Sequence, residues 1–146
     1  MNWITDKLGT ASLKELESLR KLKDVEIELV IDLIDGKQIN KGQFLSKVDH
    51  IENSIKKGKK VIIVCRGGMS RSNAVALVYL VKNGMDFDEA YNLIKQKVPT
   101  LRIRPDLMEF LKDMFEKTSK QIERISGYLK HYDEHKHFPF EKKLTK

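Results

Sequence analysis

The spacing of apolar positions divides the chain into a series of short periodic segments. Leu13, Leu16, Leu19 and Leu22 recur every three residues behind Ser12-Leu13-Lys14-Glu15, a capping-box pattern, and predict a first helix over residues 12–23. Val25 to Ile34 (VEIELVIDLI) is rich in β-branched residues and predicts a strand ending at the Asp35-Gly36 turn signal. Phe44, Val48, Ile51 and Ile55 follow at 4-3-4 spacing, the pattern of a helix that stops near Lys57-Gly58. Lys60 to Val64 (KVIIV) is short and almost wholly apolar, as a strand buried on both faces would be.

Further along, Asn73 to Lys82 (NAVALVYLVK) predicts a buried helix closed by Asn83-Gly84. Asp86 with Glu89 is a second capping-box start, for a helix carrying Ala90, Tyr91, Leu93 and Ile94. Pro99 and Pro105 bracket a loop that holds Arg102 and Arg104. From Asp106 onward, Leu107, Leu111, Met114, Ile122, Ile125, Leu129 and Tyr132 keep helical spacing almost to residue 133. Gly127 weakens that pattern by about 1 kcal/mol relative to alanine. The last dozen residues (HKHFPFEKKLTK) read as a frayed tail.

Composition narrows the class. The chain has 146 residues, 40% hydrophobic and 34% charged, which fits one soluble domain and not a disordered chain. No apolar run approaches the roughly 20 residues of a membrane helix. Met1-Asn2-Trp3-Ile4-Thr5-Asp6 has neither a basic nor an apolar region of the kind a signal peptide needs. A single cysteine excludes an internal disulfide framework, so a reduced protein of the cytoplasm is expected. The net charge of +7 favours anionic partners, phosphoproteins or nucleic acid, without choosing between them. His131, His135 and His137 lack a carboxylate motif beside them and read as a solvated helix face, so no metal and no cofactor are expected.

The chemistry concentrates in Cys65-Arg66-Gly67-Gly68-Met69-Ser70-Arg71-Ser72, between the KVIIV strand and the following helix. A strand there would place Cys65 at the carboxyl end of a sheet, where open α/β folds hold their ligands. Five residues, two of them glycine, separate Cys65 from Arg71, enough for the backbone to curl with its N–H groups inward. Arg66, Gly67, Gly68, Met69 and Ser70 thus form an anion cradle, to which the helix adds the positive end of its dipole. The Arg66 side chain itself reads as solvated or substrate-facing. Arg71 at the helix start can grip two phosphate oxygens in a bidentate pair. The same positive field favours the Cys65 thiolate over the thiol, whose ordinary pKa is about 8.5 and falls to roughly 3.5–7.5 in such settings. The thiolate is then a nucleophile aimed at phosphorus, and Ser72 is placed to hydrogen-bond the sulfur and help it leave in a second step.

These residues carry a family resemblance. Cys65 to Ser72 matches the Cys-x-x-Gly-x-x-Arg-Ser signature of the cysteine-dependent protein tyrosine phosphatases, and is most similar to that of the small dual-specificity phosphatases. Trp3 to Gly9 resembles that family's opening segment, Ser72 to Leu80 its helix after the loop, and Met85 to Ala90 its next helix start. Arg104-Pro105-Asp106 stands near its Pro-Asn motif, with Asp106 in place of the common asparagine. Val64 stands where the family usually has histidine, and the stretch between the first strand and the Phe44 helix is shorter than usual.

The resemblance implies an α/β fold: a small central, largely parallel sheet flanked by helices, with a long C-terminal helix. Residues 1–118 would form the catalytic domain and 119–146 a helical extension and tail, which could fold back on the domain or pair with another subunit as a dimer. It also implies metal-independent hydrolysis of phosphotyrosine, extending to phosphoserine and phosphothreonine in proteins, through a phosphocysteine. The family's general acid is an aspartate about thirty residues before the cysteine. Asp35 is the expected acid, with Asp32, inside the strand pattern, as its rival. Two other readings stay open: a rhodanese-like sulfurtransferase, whose loop is usually one residue shorter, and a weakly active phosphate-binding module. A third keeps the chemistry and moves it to RNA 5′-phosphates.

Overall fold

A computed structural model describes residues 1–30, 40–67 and 70–115. Strands β1 (Asn2–Trp3), β2 (Leu8–Ser12), β3 (Val25–Leu29) and β4 (Lys60–Cys65) form one sheet in the order β1-β2-β4-β3. β4 lies parallel to both β2 and β3, while β1 is antiparallel to β2. Helices α1 (Leu16–Leu19), α2 (Lys41–Lys56), α3 (Arg71–Lys82) and α4 (Phe87–Lys97) accompany it, with α5 over residues 105–115. The expected α/β class and largely parallel sheet are observed. Beyond residue 115 the long C-terminal helix, the 118/119 boundary and the proposed dimer surface lie outside the described residues.

β4 sits between two parallel neighbours, so both its edges are paired, and its side chains alternate between two cores on opposite faces of the sheet. Val61, Ile63 and Cys65 face the larger one, built with α2, α3, α4 and α5 around Phe44, Val48, Leu77, Ile94, Leu107 and Leu111. Ile62 and Val64 face a smaller one, closed by Ala11, Leu13, Leu19, Val25, Ile27 and Leu29. Val64 is therefore a packing residue on the face away from α3, which accounts for an apolar side chain at that position.

Two expectations are corrected. The helix expected over 12–23 is instead the end of β2, a 3₁₀ turn at Leu13–Glu15 and the four-residue α1. Strict three-residue leucine spacing matches three residues per turn, not 3.6, and of the four leucines only Leu19 is buried while Leu22 stays 46% exposed. The Ser12–Glu15 capping box is nevertheless formed. The strand expected over 25–34 ends at Leu29; the Val30 N–H still bonds the Val64 carbonyl at 2.9 Å, and residues 31–34 lie outside the described residues.

β2, unexpected from the sequence, is central. Gly9 permits its close pairing with β1, because a Cβ there would lie 3.0 Å from Trp3 Cε3 and 3.1 Å from the Asn2 carbonyl oxygen. β3 carries Glu26 and Glu28 toward α2, where His50 Nδ1 and Lys47 pair with Glu28, itself 8% exposed. Inward charge of this kind discourages another strand from adding to an edge.

Candidate active site

The site begins with rigidity at the end of β4. Val61, Ile62, Ile63 and Val64 are all buried, and the register sets Cys65 beside Ser12 of β2. The thiol is consequently fixed at the carboxyl end of the sheet and is 2% exposed. The chain then turns through Arg66 and Gly67, and α3 starts at Arg71 with Ser70 as its N-cap. The Ala74 N–H donates to the Ser70 carbonyl at 2.9 Å, closing the first turn.

That first turn delivers three different side chains to three places. Arg71 is half-buried and lines the cleft. Ser72 is fully buried, with its Oγ 3.3 Å from Cys65 Sγ, so its hydroxyl can donate to the sulfur once the thiol is ionised. Asn73 is also fully buried, and its Oδ1 accepts a hydrogen bond from Thr10 Oγ1 at 3.1 Å. This last bond ties the start of α3 to β2, so the helix end that faces Cys65 is held by the sheet itself. The helix is buried along most of its length against α2, α4, β2 and β4.

A cleft of about 530 Å³ opens above the thiol, lined by Cys65, Gly67, Ser70 and Arg71 from the loop and helix start. Its remaining walls come from Tyr91 of α4 and from Arg102, Ile103, Arg104 and Pro105. Pro105 opens α5 at the position where a missing N–H costs nothing, and the Arg104 carbonyl accepts from the Met108 N–H at 2.9 Å. The Arg104 N–H in turn donates to Ser70 Oγ at 3.4 Å, joining this wall to the loop. Arg104 Nε lies 3.6 Å from Asp106 Oδ1, which also accepts the Leu107 N–H at 2.9 Å.

Cys65, Gly67, Ser70 and Arg71 are thus brought together around one cleft, with Ser72 directly behind the sulfur. Arg66 is exposed and does not line the cleft. Gly68, Met69, Asp32 and Asp35 lie outside the described residues, as do the C-terminal histidines. Tyr91, Ile103 and Pro105 were not singled out from the sequence for any role in the site. Arg102 was noted only as a loop residue, and Arg104 also as part of the Arg104-Pro105-Asp106 resemblance, neither with a role in the site. Their signal was an Arg-x-Arg-Pro spacing, since residues two apart in an extended segment face the same way.

Chemically, the arrangement offers a sulfur nucleophile at the floor of a cationic cleft, next to the positive end of a helix and backed by a hydroxyl. Residues 10–119 match the family described as dual specificity phosphatase, catalytic domain. Human dual specificity protein phosphatase 16 is 36% identical over 81 residues, 55% of this chain but 12% of that protein. A candidate tyrosine-protein phosphatase of Amsacta moorei entomopoxvirus is 35% identical over 74 residues, 50% of this chain and 43% of that one. The chain thus matches less than half the length of either relative. In fold, a leucine rich repeat and phosphatase domain containing protein from Entamoeba histolytica superposes with a TM-score of 0.71 at 15% identity, over 82% of this chain and 93% of the other.

Proposed function

The chain belongs to the dual specificity phosphatase family by its catalytic domain, and from that premise we propose that it is a metal-independent protein phosphatase of the cytoplasm. Its substrates are phosphotyrosine and, in the same open cleft, phosphoserine and phosphothreonine. The observation that carries this reading is Cys65 Sγ at the base of a cleft lined by Gly67 and Arg71, with Ser72 Oγ 3.3 Å behind it.

In the first step the Cys65 thiolate attacks phosphorus. The S–P bond forms as the ester P–O bond breaks, and Asp35 gives its proton to the departing oxygen. The loop N–H groups and Arg71 hold the equatorial oxygens, so positioning and fixed charge supply most of the acceleration. In the second step water attacks the phosphocysteine, and the Asp35 carboxylate takes the proton. The P–S bond breaks, and the electron pair returns to a sulfur stabilised by the Ser72 hydroxyl. Burial of Ser72 behind the sulfur supports that last role, because its hydroxyl is shielded from solvent.

The test is p-nitrophenyl phosphate hydrolysis across pH, in a chelator, for the wild type beside Cys65→Ser. Turnover is expected in the wild type alone, with vanadate still bound by the variant. Turnover that survives Cys65→Ser refutes the mechanism. No turnover in either refutes the phosphatase reading, and thiosulfate and phosphopeptide assays then distinguish a sulfurtransferase from a binding module.

A further inference from the structure

A second concavity lies at the opposite end of the parallel strands from Cys65, where Leu8 of β2 pairs with Val61 of β4. It is a groove of about 490 Å³ between the last turns of α2 and α3 and the start of α4. Its floor is apolar, with Ile55, Tyr79 and Met85 half-buried and Leu80 buried. Asp6, Glu89 and Lys7 stand exposed at its rim, two anions to one cation. Among the described residues, neither carboxylate has an ion-pair partner. α5 starts at Pro105 beside the cleft and ends beside this groove. Phe115 packs edge-on against Phe87 with ring centres 5.4 Å apart, and Phe87 lies two residues from both Met85 and Glu89 of the groove. Residues 116–146 therefore continue from the groove's edge.

We propose that this groove is the docking site for the chain's own C-terminal segment, which seats the apolar positions of residues 122–132 on it. Ile122, Ile125, Leu129 and Tyr132 are spaced 3-4-3, the anchor pattern of an amphipathic helix laid in a groove. The charge around them is complementary to the rim. From residue 117 to 130 the segment carries Lys117, Lys120, Arg124 and Lys130 against Glu123 alone, which suits the unpaired Asp6 and Glu89. Only residues 116–121 separate Phe115 from the first anchor, and at about 3.3 Å per residue they span up to roughly 20 Å. So short a tether holds the segment at an effective concentration in the millimolar range. A second copy of the chain must reach that concentration to displace it, so the chain's own segment is the occupant. The match to the catalytic domain ends at residue 119, and all four anchors lie beyond it. Docked, they brace the ends of α2, α3 and α4 while the approach to Cys65 stays open at the other end of the sheet.

The test is carbodiimide cross-linking of the full chain, which joins a lysine amine to a carboxylate with no spacer, read by mass spectrometry. Ordinary and nitrogen-15-labelled protein are mixed in equal parts, so links within a chain are distinguished from links between chains. Asp6 or Glu89 should link to Lys120 or Lys130 of the same chain. Ile125→Asp, and Met85→Gln from the groove side, should each lower that yield about fivefold or more, because each removes an apolar contact from the docked state. Amide hydrogen exchange is the second measurement: residues 122–132 should exchange about tenfold or more slowly in wild type than in Ile125→Asp. Absence of any link from Asp6 or Glu89 to these lysines overturns the proposal. So does a yield or an exchange rate that Ile125→Asp leaves unchanged. Links that join labelled to unlabelled chains overturn it too, and give the groove to a second copy.

Discussion

Replacing Ser72 with alanine removes a hydroxyl in contact with the Cys65 sulfur. Ser72 Oγ lies 3.3 Å from Cys65 Sγ, and both side chains are buried, so no water takes over when the oxygen is removed. A hydrogen bond to a charged group contributes about 1.5–3 kcal/mol, against roughly 0.5–1 kcal/mol for the bond the neutral thiol can make to the same oxygen. The difference, about 1–2 kcal/mol, favours the thiolate and corresponds to roughly 0.7–1.5 pH units at 1.36 kcal/mol each. Ser72→Ala should move the midpoint of iodoacetamide inactivation upward by that amount. The same energy acts on the departing sulfur in the second step, so phosphocysteine should accumulate as a larger burst ahead of a slower steady state. A thermal melt of the variant controls for the fold. An inactivation midpoint that stays at the wild-type pH refutes the contact's role, whatever happens to the rate.

Two further predictions concern stability. Thr10→Val keeps the shape of the side chain but removes the donor to buried Asn73 Oδ1, and should cost about 1–3 kcal/mol in urea unfolding; an unchanged midpoint would show that this bond does not anchor α3. Tyr79 has its pKa raised above the ordinary 10.0, by burial and then by repulsion from Glu52. Its folded state therefore keeps the phenolic proton longer than the unfolded state does, so the contribution to stability is intact below about pH 10 and is lost as pH rises through the folded value. Tyr79→Phe should flatten that alkaline decline relative to wild type, and identical curves for the two proteins would contradict it.

The parts of the site that can be read in the sequence are those where chemistry and structure are contiguous. Cys65, the glycine-bearing loop, Arg71 and Ser72 fall within eight residues, and each local preference agrees with the next: apolar strand, tight turn, helix start. The α3 and α4 helices and β4 were legible for the same reason. β2 was not, because Leu8-Gly9-Thr10-Ala11-Ser12 is made largely of small residues with no alternation. It is a strand only because β1 and β4 pair with it on either side. At Leu13–Leu22 the spacing of three runs through a 3₁₀ turn at Leu13–Glu15 and the four-residue α1, over a small core that is too short to support a longer helix.

The arginine wall shows why cleft residues elude a linear reading. Arg102 and Arg104 lie more than thirty residues beyond Cys65, and their Arg-x-Arg-Pro spacing alone does not say which cleft they face. Their position follows from two contacts made elsewhere. Ser70 spends its side chain on the Arg104 main chain instead of capping its own helix, and Pro105 begins α5 at the cleft's edge. The phosphate loop and the wall therefore share a residue. Ser70 lies between the nucleophile and the helix that carries Arg71, and it is also the anchor for the segment bearing Arg102. A change that loosens the wall should accordingly be felt at the loop, so contacts made beside the phosphoryl group and the geometry that holds it belong to one connected structure.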